Sequence, residues 1–205
     1  MYKTSTPESY SSIFNRRGKQ YHQAMVDYPQ ARRKEFETVL NLLDIQSGMT
    51  LCDVPSGGCY VSHFITVPTT LISVETSEVF MRQAQTLHQQ RSLICDNITN
   101  MPLAAASIDR VLSLAGLHHV EDQVGFYQEA FRLLRPQGVF CVADVRVGSG
   151  VDGFLNEFVD RHNSMGHTGK FLCDRTTTQL QSVGFEVRYA EPIAAEQDQQ
   201  DLQAL

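Results

Sequence analysis

The sequence predicts a doubly wound α/β protein in which a mainly parallel sheet lies between two layers of helices. Short, continuous apolar runs recur along the chain, as buried parallel strands require. Between them lie stretches whose apolar residues recur at helical spacing. Alternating strands and helices are joined by right-handed crossovers, which place helices on both faces of one sheet. The expected architecture is therefore a Rossmann-like, three-layer α/β/α fold.

The predicted elements follow one another without an internal repeat or a long linker. A helical segment over residues 1–29 is followed by a domain over residues 30–190 and a polar tail over residues 191–205. The domain opens with an amphipathic helix over Gln30–Leu43. The predicted strands are Thr50–Val54, Thr70–Val74, Ser92–Cys95, Arg110–Leu114, Val139–Ala143 and Phe185–Tyr189. The later helices are Ser77–Gln90, Gln123–Leu134, Gly153–Asn163 and Arg175–Val183.

Length, charge and cysteine content limit the class of protein. The 205 residues, 42% of them hydrophobic, suffice for one core. No run of about 18 apolar residues occurs, so we expect no membrane insertion. The polar stretch Met1–Arg17 lacks a secretory signal, and five cysteines without a CxxC pair are interpreted as reduced packing residues, which favours a cytoplasmic protein. A net charge of −6 argues against nucleic acid as a partner, and the basic cluster 32–34 is interpreted as a solvated helix face.

Acidic and small residues follow three of the predicted strands. Ligands of open α/β sheets bind beyond the carboxyl ends of the strands. Asp53 leads into a small-residue loop, where backbone amides and the N-terminus of a following helix can approach a ligand. Glu75 follows the second strand and can accept both hydroxyls of a ribose, and Asp96 follows the third and can accept from an adenine amino group. Together they predict an adenosine-binding edge.

Five segments resemble the motifs of class I S-adenosylmethionine (SAM)-dependent methyltransferases, most closely ubiquinone/menaquinone-type and related small-molecule enzymes. They are Leu51–Cys59, Thr70–Ala84, Cys95–Leu103, Ser107–Asp122 and Phe131–Asp144. The resemblance covers roughly residues 30–190 and implies SAM as cofactor and a small-molecule acceptor. The cofactor-binding residues that it implies, with the strand-end residues above, are Asp53, Pro55, Ser56, Gly57, Gly58, Glu75, Thr76, Asp96, Asn97, Ile98, Leu114 and Ala115.

The sequence departs from the family pattern in two places. Pro55 and Cys59 stand where the glycine-rich loop carries its first and third glycines, which we expect to weaken SAM binding without abolishing it. Only one strand precedes the tail, where relatives close the sheet with an antiparallel hairpin. Either the tail supplies a poor edge strand, leaving the hairpin incomplete, or the chain is shorter than its relatives. One alternative is therefore a SAM-binding protein without transfer activity. A nicotinamide-dependent oxidoreductase is disfavoured because G-x-G-x-x-G is absent.

Histidines and aromatic residues are the candidates on the acceptor side. His119 is the candidate catalytic residue, as a base or an orienting group, and His118, His167 and Tyr21 are candidate substrate contacts. The segment Tyr10–Tyr28 is interpreted either as a lid over the SAM site or as a helix packed on the edge of the sheet. The i, i+5 spacing of His162 and His167 does not place them on one helix face, so we expect no metal site. The oligomeric state is left open.

Overall fold

The computed structural model describes residues 10–87, 92–162, 167 and 169–188, and within them five parallel strands form one sheet. The strands are β1 (Thr50–Asp53), β2 (Thr70–Glu75), β3 (Ser92–Ile94), β4 (Ile108–Leu114) and β5 (Leu134–Ala143). Their order, β3-β2-β1-β4-β5, reverses direction between β1 and β4. This confirms the predicted doubly wound parallel sheet and places its switch point, where ligands bind in such folds, beside the end of β1.

Helices cover both faces of the sheet. They are α1 (Tyr10–Asp27), α2 (Arg33–Leu43), α3 (Glu78–Leu87) and α4 (Gln123–Leu133), with a last described helix over Asp174–Val183. A further helical segment runs through Gly150–Gly153, a π-helical stretch Phe154–Val159, and Asp160–His162. No helix of the described residues is long and apolar enough to cross a bilayer.

Two apolar clusters, one on each face of the sheet, form the core. Successive strand residues point to opposite faces, so Leu51 packs with α2 while Cys52 packs toward α4. The pairs Leu71/Ile72 and Leu112/Val111 alternate in the same way. The layer of helices on each side therefore follows directly from continuous apolar strands. All five cysteines are free thiols.

The C-terminal strand that the sequence predicts is not formed where the structure describes the chain. Residues 185–188 of the predicted strand Phe185–Tyr189 have no strand pairing, and Tyr189 and the tail 191–205 lie outside the described residues. The Phe185 N–H donates to the carbonyl of Leu180 at the end of the preceding helix, not to β5. Its ring packs 5.1 Å from that of Phe131. The apolar residues Phe185 and Val187 pack against the core without forming a strand.

Candidate active site

A cavity opens at the carboxyl ends of β1 and β4, the switch point of the sheet, and α1 and α2 cover it. Seven residues predicted for cofactor or substrate contact lie in its wall. They are Tyr21, Asp53, Pro55, Ser56, Gly57, Leu114 and Ala115. The others do not line this cavity: Gly58, Glu75, Thr76, Asp96, Asn97, Ile98, His118, His119 and His167.

The loop after β1 has left-handed backbone at two positions, Gly57 and Cys59. Cys59 adopts a φ of 63°, the left-handed conformation that favours glycine, and its Sγ lies 2.9 Å from Oγ of Ser73. Pro55 packs so closely on Gly116 that a Cβ there would lie 2.4 Å from the proline ring. Cys59 therefore adopts a conformation that favours glycine, and its side chain is held by a contact with Ser73.

The element after this loop differs from the sequence prediction. A five-residue 3₁₀-helix, Tyr60–Phe64, stands where a helix with an N-terminus for ligand binding was expected. Val61, Ile65 and Val67 are β-branched, and Pro68 follows, so the stretch resists extension into an α-helix. Polar contacts at the cavity must therefore come from side chains and loop amides.

Asp53 is the buried carboxyl group of the cavity wall and is 4% exposed. Burial raises its pKa to about 8; the nearby Glu75 carboxylate adds to the increase and Arg32 opposes it. Beside it, Oγ of Ser56 is buried and has no hydrogen-bond partner within the described part of the chain. An acid and an unsatisfied hydroxyl facing one cavity are the features expected where a polar ligand binds.

Arg32 is the basic residue of the cavity wall, and the sequence interpretation of it was wrong. We interpreted the cluster 32–34 as a solvated face, but only Arg33 and Lys34 are exposed. The Arg32 guanidinium donates to Oε2 of Glu35 and to the hydroxyl of Tyr21, the latter at 2.7 Å. Arg32 precedes Phe36 by four residues, so it falls on the apolar face of the helix. That spacing was the signal that could have identified it.

Glu75 is fully buried at the end of β2 and accepts three hydrogen bonds. Its Oε1 accepts from the N–H of Ser77 at 2.7 Å, and its Oε2 from the N–H of Gly57 at 2.7 Å. The Tyr10 hydroxyl also donates to Oε2, at 3.0 Å. Burial raises the pKa of Glu75 to about 7, and these hydrogen bonds oppose the increase. Tyr10 lines the cavity, so it stands between the carboxylate and that space.

The predicted adenine contacts follow β3, away from the cavity wall. Asp96 and Asn97 are exposed, whereas Ile98 is buried in the core. The Asn97 side chain accepts from the N–H and hydroxyl of Thr99, which closes a local turn. These residues lie at the carboxyl end of the sheet, and Asp96 is exposed beyond the end of β3.

Three histidines assemble beside the cavity. His118 and His119 end a short 3₁₀-helix after β4, and His167 comes from the segment after β5. One ring nitrogen from each lies within 4.8 Å of the others. Burial lowers the pKa of His119 to about 3, with His118, His167 and Arg17 adding to the decrease; burial likewise lowers the pKa of His167. His162 is exposed and lies outside this set.

Asp144, which follows β5, fixes the orientation of His118. Its side chain is fully buried, and its Oδ1 lies 2.7 Å from Nδ1 of His118. Its Oδ2 accepts from the backbone N–H of His118 at 3.0 Å. A carboxylate only accepts, so Nδ1 carries the proton and Nε2 is left to face other groups. Sequence reasoning did not single out Asp144, although an acidic residue directly after a fifth strand at the same sheet edge was a usable signal.

Helix α1 links the cavity to the histidines. The rings of Tyr10 and Phe14 lie 5.8 and 5.7 Å from that of His119, and both residues also line the cavity. Helix α1 therefore contacts both the cavity and the histidines beside it.

The comparisons with known proteins agree with this geometry. A family model described as a methyltransferase domain matches residues 52–142. A Mycolicibacterium smegmatis protein, named a probable S-adenosylmethionine-dependent methyltransferase, is 30% identical over 142 residues, 66% of this chain and 52% of that protein. A Mycobacterium tuberculosis protein of the same description is 27% identical over 66% of this chain and 49% of its own length. The chain thus spans about half the length of these relatives.

Solved structures share the fold. A Haloferax volcanii methyltransferase in complex with the Trm112 methyltransferase activator has a TM-score of 0.76 at 17% identity, over 92% of this chain and 82% of that chain. A SAM-dependent methyltransferase from Thermotoga maritima has a TM-score of 0.72 at 22% identity, over 86% and 81% of the two chains.

Proposed function

We propose that the chain is a class I SAM-dependent methyltransferase and that it transfers a methyl group from SAM to a small-molecule acceptor. The observation that carries this proposal is the pairing of Asp53 and Arg32 in the wall of the switch-point cavity. The amino-acid end of SAM is a zwitterion, so its ammonium suits the oxygens of the Asp53 carboxyl group and its carboxylate suits the Arg32 guanidinium. The hydroxyl of Ser56, which has no hydrogen-bond partner among the described residues, adds a third polar contact. When bound, SAM supplies an electrophilic methyl group on a sulfonium.

Glu75 is the residue that we assign to the ribose. Its carboxylate is fixed by two backbone N–H groups, which orients it for further donors. Tyr10 now provides such a donor from α1, so α1 must shift or share Oε2 when the ribose binds. The helix therefore acts as a lid over the cofactor site. We assign Asp96, which is exposed just after β3, as the acceptor of a hydrogen bond from the adenine amino group.

The histidine side of the cavity is where we place the acceptor. Methyl transfer depends on aligning the acceptor behind the methyl group, so much of the rate enhancement comes from positioning. A lowered pKa keeps His119 neutral and makes it a weak proton acceptor, so we assign it an orienting role. His118, held by Asp144, and His167 lie with His119 beside the cavity, and Tyr21 lines the cavity itself from α1. Apolar and aromatic groups with a few polar contacts suit a small organic molecule.

Calorimetric titration of the purified chain with SAM, S-adenosylhomocysteine and NAD tests the cofactor assignment. We expect micromolar-range binding of the first two and no comparable binding of NAD. Tighter binding of NAD would contradict the proposal. Methyl transfer is then read with labelled SAM against a panel of small O-, N-, C- and S-nucleophiles. SAM binding without turnover on any acceptor would instead support a binding protein that has lost activity.

A further inference from the structure

We infer that His118, His119 and His167 form a binding site for a divalent transition metal of the zinc class. One nitrogen of each imidazole lies within 4.8 Å of the others. Tetrahedral zinc with Zn–N bonds of about 2.0–2.1 Å places its nitrogens about 3.4 Å apart. Closing the set therefore needs shifts of about 1 Å, which side-chain rotation can provide. Imidazole ligands suit Zn²⁺, Co²⁺ and Ni²⁺.

The groups behind two of these rings have the arrangement of an outer metal shell. Nδ1 of His118 donates to Oδ1 of the buried Asp144 at 2.7 Å, and Nδ1 of His167 lies 3.1 Å from Oδ1 of Asn156. Each partner fixes the tautomer and directs Nε2 away from itself, as carboxylates and carbonyls do behind metal-bound histidines. These two partners come from different elements, the end of β5 and the π-helical stretch, so the convergence is a property of the fold.

The backbone around the cluster is shaped to hold the rings together. Gly169 approaches His118 so closely that a Cβ would lie 3.0 Å from Cδ2 of that ring. The N–H of Lys170 donates to the carbonyl of His118 at 2.8 Å, which ties the two segments. The backbone N–H of His167 is held by Oδ1 of Asp160 at 3.0 Å. Two carboxylates, Asp144 and Asp160, therefore bond to the histidines of the cluster from behind.

Three protein ligands leave a tetrahedral ion one open position, which is the arrangement of catalytic zinc sites. An acceptor with a hydroxyl, thiol or amine could then be oriented through the ion. That role rests on the proposed function, whereas binding of the ion depends only on the three rings and their partners.

Cobalt titration of the full chain, prepared without a histidine tag and stripped with a chelator, tests the inference. Bound Co²⁺ is read by its visible absorption and Zn²⁺ by competition, both without SAM or acceptor. We expect one ion per chain, a rise in the unfolding temperature on loading, and retained binding in His162→Ala, whose ring is exposed. His119→Ala and His167→Ala should each weaken Co²⁺ binding by more than the ~10–100-fold that an outer-shell partner contributes.

Asn156→Ala tests the outer shell without touching a ligand. It should weaken Co²⁺ binding by about tenfold or more while leaving one ion per chain, and Asn156→Asp should restore affinity. Circular dichroism and thermal unfolding identify any variant that fails to fold. If one of His119→Ala, His167→Ala and Asn156→Ala does not fold, the other two test the inference. Absence of one-to-one Co²⁺ binding, or equal weakening by His162→Ala and His167→Ala, would overturn the inference. If the unmodified chain binds Co²⁺ but not SAM, the proposed function is contradicted and the metal site is not.

Discussion

The Tyr10 hydroxyl donates a 3.0 Å hydrogen bond to Oε2 of Glu75, which ties α1 to the end of β2. The same oxygen accepts from the N–H of Gly57, and the other carboxylate oxygen accepts from the N–H of Ser77. A carboxylate offers about four lone-pair sites, so three donors leave too few for both hydroxyls of a ribose. Tyr10 and the cofactor therefore compete for Glu75.

Tyr10→Phe should tighten SAM binding by about 3–10-fold, because the competing hydrogen bond to a charged group is removed while the ring contacts remain. Calorimetric titration of SAM measures this, with Tyr28→Phe as the matched control, because Tyr28 is exposed just after α1 and should leave SAM affinity unchanged. Weaker SAM binding by Tyr10→Phe would mean that Tyr10 belongs to the closed complex and does not compete.

Glu75→Ala should weaken SAM binding by about 1.5–3 kcal/mol if the ribose bonds to the charged carboxylate. This change also leaves the buried N–H groups of Gly57 and Ser77 without an acceptor, so it should lower the free energy of unfolding. Glu75→Gln retains an acceptor oxygen and separates the two effects.

Asp96→Ala provides the comparison at the exposed end of β3. It should cost less affinity than Glu75→Ala, since one exposed hydrogen bond is lost, and it should leave stability unchanged. Unchanged affinity and folding in Glu75→Ala would show that Glu75 caps the loop and does not bind the cofactor.

Arg32→Gln should weaken SAM binding by about 1.5–3 kcal/mol through loss of a charge-assisted contact to the amino-acid carboxylate. Arg33→Gln is the matched control, because Arg33 is exposed and pairs with Glu37 on the surface of α2. Titrations of both variants with SAM and with adenosine add a second test. Adenosine lacks the amino-acid end, so its affinity should not respond to Arg32→Gln.

The parallel sheet and its alternation with helices could be predicted from sequence because continuous apolar runs and helical spacing depend on local residues alone. The positions of Asp53 and Glu75 followed from the rule that parallel strands end at one edge. The spacing of Arg32 and the position of Asp144 were usable signals, but their partners, Tyr21 and His118, depend on which side chains meet across the fold. The strand predicted to begin at Phe185 was wrong because apolar composition specifies burial and not strand pairing, and the Phe185 N–H donates to the preceding helix.

The two buried carboxyl groups should make ligand-free stability fall as pH rises. Asp53 and Glu75 have pKa values raised to about 8 and about 7, above the ~4 expected in the unfolded chain. Between these limits the native state binds more protons, so stability present near pH ~4 is lost as pH rises through about 7–8. Denaturant unfolding from about pH 5 to about pH 8 measures the slope. Asp53→Asn should flatten it; an equally steep slope in Asp53→Asn would refute the assignment.

The histidine cluster should govern the acceptor and leave the cofactor unaffected. His119 and His167 do not line the cavity that carries Asp53 and Arg32, so truncating either ring removes no proposed SAM contact. We therefore expect His119→Ala and His167→Ala to lower kcat or raise the acceptor KM. The SAM affinity should stay within about threefold of the original value, a difference in binding free energy of less than ~1 kcal/mol. His162 is exposed and lies outside the cluster, so His162→Ala should leave both quantities unchanged.

Steady-state kinetics with an acceptor from the panel, together with SAM titrations of each variant, measure this separation. The ring of His119 contacts Tyr10 and Phe14, so a variant that disturbs α1 would lower SAM affinity as well. Loss of SAM binding in a folded His119→Ala protein would therefore place that residue on the cofactor side. Unchanged turnover in both variants would show that neither ring contributes to methyl transfer and that the acceptor binds elsewhere on the sheet edge.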